Sequence, residues 1–213
     1  MNDARKSDKT PIGDTPIVYV VDDDPSIRDA LVDLFLSIRT DAKSFENAQD
    51  FLDNADLSRP GCILLDVRLP GANGLDFQLH LAKLGNRMPI IFMTGHGDIP
   101  MTVRAMKAGA VDFLAKPFRD QDILDAVSVA FQKDRDLRQQ SATNGAVTDL
   151  AKTLTRREHE VMAAVVQGLM NKQIAFNLGI SEITVKLHRG NVMRKMEARS
   201  VADLVRKAEL LGL

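Results

Sequence analysis

The sequence holds one cysteine, Cys62, in the apolar run Gly61–Leu65. One thiol excludes an internal disulfide and a cysteine-based metal centre. Its apolar setting marks a buried, inert side chain rather than a nucleophile. Long hydrophobic runs are also missing: no stretch approaches the roughly 20 apolar residues that a membrane-spanning helix needs. The opening "MNDARKSDKTPIGDTP" has no signal-peptide pattern. The expectation is a cytoplasmic protein with no membrane association, and with residues 1–15 as a disordered tail. Internal repeats and low-complexity tracts are absent. A strong excess of one charge is absent too, with 28 Lys/Arg against 29 Asp/Glu and a net charge of -1. That balance hides an asymmetry. Thr153–Leu213 holds 10 basic and 6 acidic residues, or +4, and the remainder is left with 18 and 23, or -5. An acidic front and a basic tail place any contact with polyanions in the tail.

What is present begins at "IVYVVDDDPS", where a β-rich run meets Asp22, Asp23 and Asp24. Ile17–Val21 reads as a strand buried on both faces. Ser26 is the expected N-cap of a helix with Ile27, Ala30, Leu31, Leu34, Phe35 and Ile38 at helical spacing. Ala42–Phe45 is a weak strand and Asn47–Ala55 a short helix. "GCILL" is a buried strand ending at Asp66. "LPGANG" is a turn, with a helix at Leu75–Leu84. "MPIIFMT" is a strand ending at Thr94, and Ile99–Ala108 a helix. "VDFLA" is a strand ending at Lys116-Pro117. Asp120 opens a long helix expected to reach about Gln140.

Five β-α units of this kind predict an α/β fold, a doubly wound parallel sheet with helices on both faces. Functional groups in such sheets gather beyond the carboxyl ends of the strands. Asp22, Asp23, Asp66, Thr94 and Lys116 all fall there, which brings them to one rim from scattered positions. Adjacent carboxylates repel and resist burial unpaired. A hard divalent cation such as Mg²⁺ or Mn²⁺ resolves the conflict, because it takes oxygen ligands and keeps several waters. Asp66 is then a carboxylate able to form an aspartyl-phosphate. Lys116 pairs with it and with the phosphate, and Thr94 offers a hydroxyl.

Ser141–Lys152, "SATNGAVTDLAK", is small, polar and interrupted by Asn-Gly, and reads as a linker. Residues 153–213 read as an all-α domain of four helices. "TRRE" fits a capping box at Thr155–Glu158. Val161, Ala164 and Val165 form an apolar face before Gly168. Asn171–Leu178 is a second helix with Ile174, Ala175 and Leu178 inward, and "LGIS" is the Gly-containing turn of a helix-turn-helix. Ser181 caps a third helix with Val185, His188, Val192 and Met196 inward. "SVAD" starts a fourth, with Leu204, Val205 and Ala208 inward.

Together, "VVDDD", "LLDVRLPGANG", "IIFMTGHGDIPMTVRAMKAGAVDFLAKPF" and the tail "LTRREHEV…LMNKQIAFNLGISEITVKLHRGNVMRKM" resemble a two-component response regulator of the FixJ/NarL group. The resemblance runs from about Pro16 to the C-terminus. It implies a flavodoxin-like receiver over residues 16–140 and a LuxR-type helix-turn-helix domain over 153–213. Asp66 would be the phosphoacceptor. Asp23 would be the direct metal ligand, Asp22 a water-mediated one, and the backbone carbonyl of Arg68 a third contact. Thr94 and Phe113 would be the switch pair and Lys116 the phosphate-binding lysine, followed by a cis-type proline, Pro117. Asp24 is left as a solvated turn residue. The implied partners are a sensor histidine kinase, double-stranded promoter DNA, RNA polymerase and a second copy of the phosphorylated chain. The surface of the helix that carries Met101, Arg104, Met106 and Lys107 would be a dimerisation face.

On the output helix Glu182–Met196, Lys186 and Leu187 are the candidates for base-edge contact. Thr184, Arg189, Arg194 and Lys195 are placed for phosphates, as are Asn171 and Lys172 at a helix N-terminus. Gly190 departs from relatives that carry a long basic side chain there. His188 reads as a packed core histidine, and His80, His96 and His159 show no metal-type clustering. A turnover enzyme of the haloacid-dehalogenase type is disfavoured, because Arg68 stands where a second aspartate supplies acid-base chemistry. The receiver would catalyse only its own phosphoryl transfer and dephosphorylation. A regulator that works without phosphate is disfavoured by the intact acidic pair and lysine.

Overall fold

The computed structural model describes residues 15–95 and 99–213. The expected tail up to residue 14, and His96, lie outside the described residues. The chain divides into two compact units, the first ending at Leu137 and the second spanning Arg138–Leu213. Among the described residues no helix is long and apolar enough to cross a membrane.

The first unit is built on five parallel strands. These are β1 (Ile17–Val21), β2 (Asp41–Phe45), β3 (Gly61–Asp66), β6 (Ile90–Thr94) and β7 (Asp112–Ala115). A short antiparallel hairpin, β4 (Arg68–Leu69) with β5 (Ala72–Asn73), lies between β3 and the third helix. It occupies the expected turn, and Gly71 sits in it at φ 74°, where glycine avoids the Cβ clash. The sheet order is β2-β1-β3-β6-β7. Strand order therefore reverses between β1 and β3, which is where ligands seat in open sheets of this class.

Side chains alternate between the two faces of the sheet. Tyr19, Val21, Ile63, Leu65 and Phe92 pack one core with Phe51, Leu75, Phe77, Leu81 and Ala105. Those partners come from α2 (Ala48–Asn54), α3 (Gly74–Lys83) and α4 (Ile99–Lys107). Val18, Val20, Cys62, Leu64, Ile91 and Met93 pack the other face with Leu31, Phe35, Ile123, Ala126, Val127 and Ala130. These belong to α1 (Pro25–Ser37) and α5 (Asp120–Lys152). Cys62 is fully buried, and burial pushes its thiol pKa up, with the nearby Asp134 carboxylate adding to the effect.

Two expectations are corrected. The N-cap of α1 is Asp24, not Ser26: the Asp24 side chain accepts from Ser26 N at 2.8 Å, and Pro25 takes the first helical position. Proline is preorganised there and needs no N–H partner. The second correction is larger. Ser141–Lys152 is no linker but the continuation of α5, which runs unbroken from Asp120 to Lys152 rather than stopping near Gln140. The hydroxyls of Thr143 and Thr148 bond back to the carbonyls of Gln139 and Asn144, four residues earlier. Val147 and Ala151 are buried in the core of the second unit. That packing at helical spacing overrides the turn preference of Asn144-Gly145.

The rest of the second unit is α6 (Arg156–Val166), α7 (Asn171–Leu178), α8 (Glu182–Lys195) and α9 (Val201–Leu210). The capping box at Thr155 and Glu158 is present. Gly179 ends α7 at φ 64° and sets the turn into α8, which Ser181 caps. Val161, Met162, Val165, Ile174, Val185, Val192, Met196 and Leu204 form the shared core.

Candidate functional site

In the first unit the carboxyl ends of β1 and β3 bring Asp22 and Asp66 together, and the loop after β1 adds Asp23. Each offers a carboxylate oxygen, and these oxygens lie within 4.8 Å of one another. Asp22 is fully buried, Asp66 nearly so, and Asp23 faces solvent. Lys116 arrives from the end of β7. Its Nζ donates to Asp22 Oδ2 at 2.6 Å and to Asp66 Oδ2 at 2.7 Å. The backbone N–H groups of Asp24 and Arg68 donate to the other oxygens of Asp22 and Asp66, both at 3.0 Å.

Burial raises the Asp22 pKa above its ordinary value, against the opposing hydrogen bond from Lys116. Burial alone would lower the Lys116 pKa, but its hydrogen bonds to Asp22 and Asp66 outweigh it and the net direction is upward. Three carboxylates against one ammonium leave a surplus of two negative charges. The donors are hard oxygens, and the exposure of Asp23 leaves positions for water. This set fits a small divalent cation.

Thr94 ends β6, almost fully buried, and its carbonyl accepts from Lys116 N at 2.7 Å. In the parallel register Phe92 pairs with Phe113 and Thr94 with Ala115. Paired residues share a face, so Thr94 and the half-buried Phe113 are diagonal neighbours on one side of the sheet. The Phe113 ring stands 6.3 Å from that of Phe92. Arg68 lies in the hairpin, two residues past Asp66, with its side chain exposed.

Three features of this rim escape a reading of motifs. Asp24 caps α1. Arg28 Nη1 donates to the carbonyl of Asp22 at 2.8 Å. Gly74 passes so close beneath the rim that a Cβ there would lie 2.6 Å from the carbonyl oxygen of Asp66. The Asp-Pro pair after β1 is a sequence signal for the cap; the close approach at Gly74 has none, because it depends on how α3 meets β3.

In the second unit Lys172, Lys186, Leu187 and Arg194 are exposed. Thr184 is half-buried, its hydroxyl 2.8 Å from that of the cap Ser181. Arg189 and Asn171 meet each other, Nη1 to Oδ1 at 2.8 Å, tying α8 to the start of α7. Lys195 stands apart from the other candidate phosphate contacts. Its Nζ donates to Glu158 Oε2 at 2.6 Å and to the Thr153 carbonyl at 2.9 Å, inside the unit. Glu158 also accepts from Thr155 N at 2.8 Å. The Lys195 bond, then the Thr155 amide, hold the Glu158 pKa down at about 2. His188 is half-buried, and its Nδ1 is buried with no hydrogen-bond partner.

Comparison with known proteins joins the two halves. Residues 18–128 match the family described as response regulator receiver domain, and residues 152–208 match bacterial regulatory proteins, luxR family. Nodulation protein W of Bradyrhizobium diazoefficiens is 54% identical over 92% of this chain and 87% of its own length. A solved structure of the response regulator StyR is 46% identical, with a TM-score of 0.78 over 92% of this chain and 98% of that one. Full-length FixJ from B. japonicum is 38% identical, with a TM-score of 0.56 over 93% of this chain and 98% of that one. With its acidic rim in a receiver and its helix-turn-helix in a LuxR-type DNA-binding domain, the chain belongs to the response regulators of the FixJ/NarL group and is a transcriptional regulator.

Proposed function

We propose that this regulator is switched by phosphoryl transfer to Asp66 from a sensor histidine kinase. The observation that carries the reading is the position of Lys116 Nζ, 2.6 Å from Asp22 and 2.7 Å from Asp66, in a cluster that still has surplus negative charge. An oxygen of Asp66 attacks the phosphorus of a phosphohistidine. The new O–P bond forms as the N–P bond breaks, and the imidazole leaves. Asp22, Asp23, Asp66 and the backbone carbonyl of Arg68 would hold Mg²⁺ or Mn²⁺. Such an ion, when bound, neutralises charge on the incoming phosphoryl group. Lys116 exchanges its Asp66 contact for a phosphoryl oxygen, and the Thr94 hydroxyl donates to another. The site's own hydrolysis of the acyl phosphate resets it, without a turnover substrate.

The switch rests on the shared sheet face of Thr94 and Phe113. Thr94 drawn toward the phosphoryl group vacates space that the Phe113 ring fills, and the surface of α4 and β7 is biased between two states. That surface pairs two copies, and the dimer reads two half-sites about one turn of DNA apart. In each copy Lys186 and Leu187 meet base edges, while Thr184, Lys172 and Arg194 meet phosphates. Arg189, held by Asn171, braces α8 and offers its remaining N–H groups to the backbone. Lys195 serves the internal Glu158 pair instead. RNA polymerase is the partner at the promoter.

The test is intact-protein mass after incubation with a small phosphodonor and Mg²⁺, and then sedimentation of the same samples. Wild type is expected to gain a single phosphoryl adduct and to dimerise. Asp66→Asn is expected to fold and do neither. Phosphodonor-dependent assembly that persists in Asp66→Asn overturns the mechanism.

A further inference from the structure

The outward face of α8 is more apolar than a phosphate-binding helix requires. Ile183 is 79% exposed and Leu187 64%. They stand four residues apart, on one face of the helix. Val185, Val192 and Met196, which face the core, lie on the opposite side. Gly190 and Arg194 continue the outward line, each seven residues beyond Ile183 and Leu187 respectively, close to two full turns.

Gly190 sharpens the point. Nothing lies within 4 Å of where its Cβ would sit, and its backbone is not in the left-handed region. Neither packing nor strain requires a glycine there, and in mid-helix it weakens α8 relative to alanine. The bare backbone instead leaves room for a surface outside the domain to approach α8 closely. The surroundings say which: Lys186 is exposed beside the stripe, Arg194 lies on the same line and Lys172 is exposed at the start of α7. An apolar strip bordered by cations suits a polyanion that presents apolar groups. In the major groove of DNA, thymine presents such a group, its C5-methyl.

We propose that Ile183 and Leu187 read thymine methyl groups, and that the bare backbone at Gly190 lets α8 seat deeply enough to reach them. Ile183 to Gly190 spans about 10 Å of helix at 1.5 Å per residue, or about three base-pair steps of 3.4 Å. This rests on the DNA-binding reading of α8. It adds the chemical class of base that the helix selects, and it adds Ile183 and Gly190 to the reading surface.

The experiment starts with the full chain, a small phosphodonor and Mg²⁺, selecting bound duplexes from a random pool. Each thymine of the enriched half-site is then replaced by deoxyuridine, which removes only the methyl. Wild type is expected to lose about fourfold in affinity per contacted thymine, the equivalent of one buried methyl-sized group. In Ile183→Ala with Leu187→Ala that sensitivity should fall below about twofold. Gly190→Ala should raise the unfolding midpoint of the chain while weakening binding to the same duplex. Wild-type binding indifferent to every replacement overturns the proposal, as does undiminished sensitivity in the double variant. A Gly190→Ala chain that binds as tightly as wild type overturns the seating role. Failure to enrich any sequence overturns the DNA-binding reading itself, a result distinct from enriched sites that ignore the methyls.

Discussion

Asp22, Asp23 and Asp24 are three copies of one residue with three fates. Asp22 is buried against Lys116, Asp23 faces solvent within the cluster, and Asp24 caps α1. Chain position alone separates them, because strand β1 ends at Val21 and draws the very next residue into the interior. The acidic rim was legible in sequence for that reason: Asp22, Asp66, Thr94 and Lys116 stand at or just past the ends of four strands, β1, β3, β6 and β7, and such ends converge in a doubly wound sheet. Lys195 was not legible. A lysine on a basic helix looks the same whether it faces a phosphate or a buried glutamate, and only the packing of α8 on α6 distinguishes the two. The Glu158–Lys195 pair carries a pH signature. The folded pKa of Glu158 is about 2, below its ordinary 4.5. Its contribution is therefore complete above the unfolded value, and it is lost as pH falls through the folded one. Thermal unfolding between pH 5 and 2 should show the second unit losing stability over that window in wild type. Glu158→Gln should be less stable at pH 7 and should lose less across the window.

Among the elements, the closest matches to the sequence patterns are β1, β3 and β6, buried at every residue, and α6, α8 and α9, which start at the side-chain caps Thr155, Ser181 and Ser200. The failure was α5. Its stretch Gln139–Ala146 is exposed at every residue, so no apolar face announces a helix there. Serine, threonine, asparagine and glycine in that stretch favour turns in isolation. The helix persists because packed segments flank it, Ile123–Ala130 in one core and Val147–Ala151 in the other. Local hydrogen bonding alone holds the middle, so its amides should exchange with solvent faster than those of either flank. Hydrogen-exchange mass spectrometry with peptides covering 139–146 checks this directly. Gly145→Ala, at a site with nothing within 4 Å of the new Cβ, should slow that exchange and stabilise the helix by about 1 kcal/mol.

For the whole molecule, the division of charge along the chain sets the salt response. The acidic first part carries -5 and the segment from Thr153 carries +4, so DNA meets a basic module with an acidic neighbour in the same chain. Three cations per copy assigned to the DNA backbone, Lys172, Arg189 and Arg194, predict a slope of log K against log salt of about -3 per copy, and about twice that for a dimer. Titrations at several salt concentrations measure it, and Lys172→Ala should reduce it by about 1 per copy. A slope near zero would remove the phosphate contacts from the mechanism.

The surplus of two negative charges at the rim also reaches beyond signalling. A folded state that holds a divalent cation which the unfolded chain does not hold is stabilised by mass action. At a free concentration 100 times the dissociation constant the gain is about 2.7 kcal/mol. Unfolding of the first unit, measured against Mg²⁺ concentration with no phosphodonor present, should show its midpoint climbing with the ion. Asp23→Asn should flatten the climb. A climb that depends on Asp23 would tie the supply of folded receiver to the divalent-ion content of its surroundings, independently of phosphoryl transfer.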